Sequence, residues 1–446
     1  MPTSPESLRE LADQLARGET TAEALCTRCI DVIAEKDKTG APAFLSVFAS
    51  SALEAARRVD SARHAGEAVP AFAGVPFAAK DLFDVEGKTT GAGAVVTDTD
   101  PPATQDAVVV SALRQAGLVL VGTTNMTEFA FSGLGLNPHF GTPESACWPG
   151  EGRAPGGSSS GAGVSLAHGM VPLSLGTDTA GSCRIPAAWN GVVGFKPTQS
   201  HLSREGVFPL SHTLDVPGPL ALTVDCCRVA TALMRGLEPA PRSTQTADRF
   251  RFIAPTFDNM PELESAVSLH YAAAIETLSQ HGAQIDSAPV PFFSKAVDAF
   301  LSSPLAAFEA WHLHKDRLAT DGARYDPNVA RRLRGGEDTA EEAHRRNLAA
   351  RNALAAQFRE DTPANTFFVL PTTANTPGLI KTLEADNDAF RTANLTALTL
   401  TSMANYLDAC AITIPIGQGI GLSLIGPGGS DDALLDAAEA VETALR

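Results

Sequence analysis

What the 446 residues lack narrows the field first. No apolar run approaches the roughly 20 residues needed to span a bilayer, so no membrane role is expected. Nor is any lysine- and arginine-rich block long enough to form a basic stripe: 34 basic side chains stand against 51 acidic ones, for a formal net charge of −17. Nucleic-acid binding through phosphate neutralisation is therefore not expected. The opening MPTSPESLRELADQLARGETT lacks the basic-then-apolar layout of a secretory signal, and a cytoplasmic location is expected. Seven cysteines, an odd number, are scattered at positions 26, 29, 147, 183, 226, 227 and 410, which is no disulfide framework. Cys26 and Cys29 have redox-like spacing, but they fall inside the helical pattern TTAEALCTRCIDVIAEKD with no second pair at zinc-like spacing. They read as ordinary helix residues. No metal and no cofactor are expected.

What is present is the composition of an ordered globular protein, 44% hydrophobic and 19% charged, with chain enough for a large core. Two helices open the chain, the first capped by Ser4 with Pro5 at its first position, the second by Thr20 with Glu23 completing a capping box. From Phe72 onward, short apolar segments (GVPFAAKD, AGLVLVGTTN, VPLSLGTD, GVVGFKP, RFRFIAP) alternate with helical stretches. This pattern predicts an α/β fold, a single large mixed β-sheet covered on both faces by α-helices. Residues 262–290 and 304–358 read as mainly helical, the second region carrying Trp311 and the charge-rich RRLRGGEDTAEEAHRR outside the sheet. Strand signals return at TFFVLPTT, CAITIPIG and GIGLSLIGP before a closing helix. Because strands occur early, in the middle and late, one domain over 1–446 is expected, with an N-terminal helical segment over 1–70.

The stretch APGGSSSGAG, residues 154–163, admits several readings. A linker would separate two composition regimes, whereas apolar, ordered-looking sequence follows directly. A Walker-type phosphate cradle needs Lys-Ser or Lys-Thr after its last glycine, and Ala162-Gly163-Val164 supplies neither. Gly157-Ser158-Ser159-Ser160-Gly161 satisfies G-x-S-x-G with Ser159 as nucleophile, but that elbow follows a strand. The preceding HFGTPESACWPGEGRAP is too rich in Pro, Gly and charge to be one.

A second stretch, GTDTAGSCRIPAAWNGVVGFKPT at 176–198, changes the weighting. GVPFAAKDLFDVEG, GGSSSG, GTDTAGSCRIPA and GFKPT, in that order, resemble the core of the amidase signature family. The resemblance covers most of the chain and is strongest over residues 74–226. It implies that Ser182 is the nucleophile, that Ser158, 24 positions earlier, is a bridging serine preceded by a cis peptide bond, and that Lys80 is the base. It also implies an oxyanion hole from the backbone N–H groups of Thr179, Ala180, Gly181 and Ser182, with Ala180 where the family usually has glycine. A serine hydroxyl needs its proton removed before it attacks, and a lysine removes it only when burial lowers its pKa toward neutrality. Ser158 would relay that proton and later help return one to the departing amine. Asp178 and Arg184 are expected to organise the loop. Cys183 has no histidine motif to make it a nucleophile.

The resemblance implies an amidohydrolase cleaving a C–N bond of a small molecule through an acyl-enzyme. The segment NYLDACAITIP leans toward the allophanate hydrolase branch, with Asp408 where glycine is usual. That branch grips its anionic substrate with an arginine and a tyrosine upstream of the asparagine matching Asn405. Thr396 and Leu400 occupy those places here, so a neutral amide, anilide or carbamate is expected. Met126, Phe129, Phe131, Gly133 and Phe208 are the candidate substrate-binding residues, with Trp311 or its neighbours beside them. Core packing competes with that role for each apolar one. The alternatives are an allophanate or ureide hydrolase, one component of a glutamine-dependent amidotransferase, an esterase using Ser159, and a metalloamidase. The expected partners are the small-molecule substrate and, at most, a second copy of the chain as a homodimer.

Overall fold

A computed structural model describes residues 6–37 and 42–446. Eleven strands form one sheet: β1 (Phe44–Val47), β2 (Pro76–Lys80), β3 (Val119–Thr124), β4 (Leu173–Asp178), β5 (Val193–Lys196), β6 (Val216–Ala221), β7 (Arg251–Thr256), β8 (Gln284–Pro289), β9 (Thr366–Pro371), β10 (Cys410–Gly417) and β11 (Ile420–Gly426). Their spatial order is β1-β3-β2-β4-β6-β5-β10-β11-β9-β7-β8. Pairing is parallel for β3-β2-β4 and β9-β7-β8 and antiparallel elsewhere, so the sheet is mixed. β2, β3, β4, β5, β6, β9 and β11 are buried at every position, as strands covered on both faces must be. The mixed sheet covered by helices is the architecture that the alternating pattern predicts.

Three strands escaped the sequence pattern. β1 and β8 are sheet edges with mostly exposed or half-exposed residues, and they lie in stretches that read as helical. β6 is central, yet its sequence VPGPLA holds two prolines, which cannot donate to a ladder. The neighbouring β5 pairs only with Leu220 and Ala221, so neither proline has a ladder bond to lose on that side.

The N-terminal caps also shift. The first described helix, Leu8–Ala16, is capped by Ser7 in a reciprocal box with Glu10, while Ser4 and Pro5 lie outside the described residues. The next, Ala22–Lys36, is capped by Thr21 rather than Thr20, and Asp60 accepts from the Ala22 and Glu23 N–H groups. A carboxylate from a third helix, Ala49–His64, thus helps cap this N-terminus. Cys26 and Cys29 are buried on the inner face of Ala22–Lys36, where burial pushes both thiols up to about 12. Asp408 explains itself through its backbone: φ is 48°, the left-handed region that favours glycine, which aspartate enters more readily than most residues.

Candidate active site

The parallel pair β2 and β4 places the first components. Ala78 and Ala79 pair with Ser174 and Leu175, so Lys80 at the end of β2 arrives beside Thr177 near the end of β4. Ligand sites in α/β sheets form at such carboxyl ends. Lys80 is fully buried, and its Nζ donates to Ser158 Oγ at 2.6 Å and to Thr177 Oγ1 at 2.9 Å. Burial pushes its pKa down to about 7, an effect that the acidic groups Asp215 and Asp178 only partly offset.

Ser158 is delivered by the loop running into the helix Ser160–Ala167, and the Gly157–Ser158 peptide is cis. Glycine is obligatory at 161, where a Cβ would stand 2.1 Å from the Ala43 carbonyl oxygen and 2.6 Å from the Asn125 nitrogen. Ser159, the elbow candidate, is fully buried with its Oγ 3.4 Å from the Thr177 carbonyl oxygen. No strand precedes it: between Thr124 and the helix at Ser160 the only strand-like pairing is an isolated bridge at Arg153, with a short 3-10 turn at Glu128–Ala130.

Ser182 lies in the turn between β4 and the helix Arg184–Asn190. That turn is built around Asp178. Its carboxylate accepts from Gly181 N at 2.8 Å and Cys183 N at 3.1 Å, and from Arg184 through Nε at 3.0 Å and Nη2 at 2.9 Å. Asn405 adds a 3.0 Å bond to the same carboxylate. Burial by itself would raise the Asp178 carboxyl, but Arg184 beside it, with help from Lys196 and Asn405, holds it at about 2. Thr179 is fixed through its hydroxyl, which donates to buried Asp215 at 2.6 Å.

The four N–H groups expected to form an oxyanion hole are thus not equivalent. Gly181 N–H is committed to Asp178, whereas those of Thr179, Ala180 and Ser182 meet no acceptor among the described residues. Gly181 has φ +134°, and a Cβ there would stand 2.2 Å from Thr401 Oγ1. Ala180 has no positive φ, so alanine fits in place of the usual glycine. The Cys183 sulfur turns away from the solvent into the sheet. It sits 3.6 Å from the Gly218 carbonyl oxygen, and added Cβ atoms on Gly176 and Gly218 would come within 3.1 and 3.3 Å of it. Burial pushes its thiol far up, the wrong direction for a nucleophile.

Ser182, Thr179 and Ala180 open onto a cavity of about 270 Å³, walled by Phe131, Leu210, Leu214, Phe300, Leu398 and Tyr406 with Arg332 among them. Of the expected substrate-binding residues, only Phe131 lines it. Phe129 is at φ 49°, with its ring packed on Phe208, His314 and Tyr325. Met126 is fully buried. Gly133 stands behind Leu398, whose Cδ2 a Cβ on Gly133 would meet at 2.9 Å. Trp311 packs against the core instead. Those residues form a second layer, because the tertiary fold and not their spacing decides which wall is inner. Thr396 and Leu400 do not line the cavity either: on the helix Asn387–Tyr406 the cavity face carries Leu398 and Tyr406. Thr177 and Arg332 were missed. Each is a common residue type whose place depends on chain far away. Among the described residues no group of three or more His, Cys, Asp or Glu is arranged to hold a metal ion.

Fold and site together define an enzyme of the hydrolase class that acts on carbon–nitrogen bonds. The chain belongs to the amidase family, whose model, described as Amidase, matches residues 23–435. It is 34% identical over 98% of its length to 2-amino-5-chloromuconic acid deaminase of Comamonas testosteroni, covering 96% of that protein. It is 33% identical over 99% of its length to a glutamyl-tRNA(Gln) amidotransferase subunit of Thermobifida fusca, covering 96% of it. A solved structure described as an amidase superposes with a TM-score of 0.87 at 28% identity, over 98% of this chain and 99% of that one.

Proposed function

We propose that the protein is a serine amidohydrolase in which Ser182 attacks the carbonyl carbon of a small amide, anilide or carbamate. The observation that carries this reading is the fully buried Lys80 amine 2.6 Å from Ser158 Oγ, beside a cavity that Ser182 lines. With Lys80 neutral, the Ser182 proton passes to Ser158 as the Ser158 proton passes to Lys80, and the serine oxygen bonds to the carbonyl carbon. The oxyanion that forms faces the N–H groups of Thr179, Ala180 and Ser182, donors already in place before the charge develops. Collapse breaks the C–N bond, and the proton held by Lys80 returns through Ser158 to the leaving amine. Water then repeats the sequence on the acyl-enzyme. A carbamate would give an alkoxycarbonyl enzyme and a carbonic monoester that loses carbon dioxide.

The expectation of a neutral substrate rested on Thr396 and Leu400, which stand away from the cavity, so it has lost its ground. Membership of an amidotransferase complex is the second reading, favoured by the 33% identity to a relative with that name. Assay of the purified chain on small anilides, carbamates, ureides and esters separates the two. The expected outcome is unaided hydrolysis of at least one class, lowered on the order of 10³-fold or more in Ser182→Ala. Undiminished activity of that variant would overturn the mechanism. Ser159→Ala should only dent the rate.

A further inference from the structure

Arg332 differs from the buried arginines of the fold. Arg184 is clasped by Asp178 and Asn405, Arg228 by Asp436 and Glu439, and Arg351 donates to the Asn405 carbonyl. The Arg332 side chain has no hydrogen bond and no ion pair among the described residues, and its Nε is buried without any partner. Its guanidinium carbon lies 4.6 Å from the centre of the Phe131 ring, another cavity residue. Burial, with the neighbouring Arg331, pushes its pKa down to about 10. The backbone that carries it is pinned: the helix Pro327–Arg334 is capped by Asp326, whose own N–H is held by buried Glu128. The side chain is half-buried, and a charge that reaches an apolar cavity unpaired lacks its counter-ion, which costs free energy to the extent that it is buried.

From this geometry we infer that Arg332 is a specificity-determining residue that receives a carboxylate on the substrate, in the cavity that Ser182 also lines. The inference rests on the reading of Ser182 as nucleophile. A lone guanidinium fork amid apolar walls suits a planar monoanion better than a phosphate dianion, which would call for a second cation. The volume, about 270 Å³, lies just under the usual range for ligand pockets, so the molecule is small. Leu214, Phe300 and Leu398 line the same cavity, which fits a short apolar or unsaturated frame. The substrate class is therefore a small amide acid, carrying a carboxylate as well as the scissile C–N bond.

The test measures protection of Ser182 from a fluorophosphonate, with the labelled peptide identified by mass spectrometry. Glutaramate and adipamate are compared with pentanamide and hexanamide, which lack the carboxylate. In the wild type the acids should halve the labelling rate at concentrations at least tenfold lower than the neutral amides. Arg332→Met should bring that ratio to near one, Arg332→Lys should keep part of it, and Arg331→Met, altering an exposed neighbour, should keep all of it. Where the acids turn over, the loss in Arg332→Lys should appear in KM more than in kcat. Equal protection by acids and neutral amides in the wild type, or a preference that survives in Arg332→Met, would overturn the inference while leaving the nucleophile in place. Absence of Ser182 labelling in the wild type would overturn the site reading and the inference with it.

Discussion

In the proposed mechanism Lys80 is the base, and burial gives it two opposed effects. Only the neutral amine accepts a proton, so kcat/KM should rise with pH along a limb centred near 7, the value to which burial lowers it. The folded protein resists charging this amine, whereas the unfolded chain carries it protonated up to about its ordinary 10.5. At pH 8 that difference favours unfolding. Lys80→Met should therefore lower kcat on the order of 10²–10⁴-fold and raise the melting temperature measured at pH 8. A variant that is both inactive and less stable would show that the amine is not held neutral. That Lys80, Ser158 and Ser182 belong to one candidate site was legible in the sequence because their motifs are local and ordered. Thr177, a partner of the same amine, was not: its role comes from the register of β2 on β4, which no spacing along the chain records.

Among the elements, the turn from Asp178 to Ser182 concentrates the demands. Gly181→Ala would place a Cβ 2.2 Å from Thr401 Oγ1 and force an L side chain to φ +134°. The turn would shift, and with it the three uncommitted N–H donors. A drop in kcat on the order of 10²–10³-fold is expected, the range for losing one oxyanion donor. Adding Thr401→Gly should recover only part of it, because the backbone conformation still disfavours alanine. Full recovery would mean that steric contact alone mattered. Elements were legible where hydrophobic patterning was strong, as in β3 and β10. β6 hid behind its prolines, and the edge strands β1 and β8 had too few buried positions to declare a period of two. The helix holding Arg332 shows a subtler limit. Its pattern PNVARRLR buries Val329, Ala330 and Leu333, and Arg332 sits on the flank of that face, where charge looks like solvent exposure.

Taken whole, the molecule gathers its candidate site from positions 80, 158, 182, 332 and 398–406, so its electrostatics are felt as global stability. Two buried carboxylates, Asp178 and Asp431, lie below their ordinary values. Burial pushes each up, but Arg184 overrides it at Asp178, and His201 and Thr198 do so at Asp431. Groups lowered in this way contribute stability that is present above about pH 4 and is lost as pH falls through their folded values. Asp81, raised to about 6 by burial, acts in the opposite sense, but its contribution is complete by about pH 4. The denaturant midpoint should thus fall steeply between about pH 4 and pH 2. Arg184→Met should cost about 3–5 kcal/mol at pH 7 by leaving Asp178 uncompensated, and should flatten the acid fall. An unchanged pH slope in that variant would separate Asp178 from acid unfolding.

Cys183 shows how tightly this gathering binds one position. Its sulfur occupies a hollow that exists because β4 and β6 present glycines, Gly176 and Gly218, on either side of it. For any lineage descending from this sequence, the residue after Ser182 is free to shrink but not to grow. A larger side chain would need backbone displaced in two strands at once, a step that no single substitution supplies. Position 183 is thus a historical lock, where mutational paths toward a bulkier neighbour of Ser182 are closed even though the chemistry of the thiol itself goes unused.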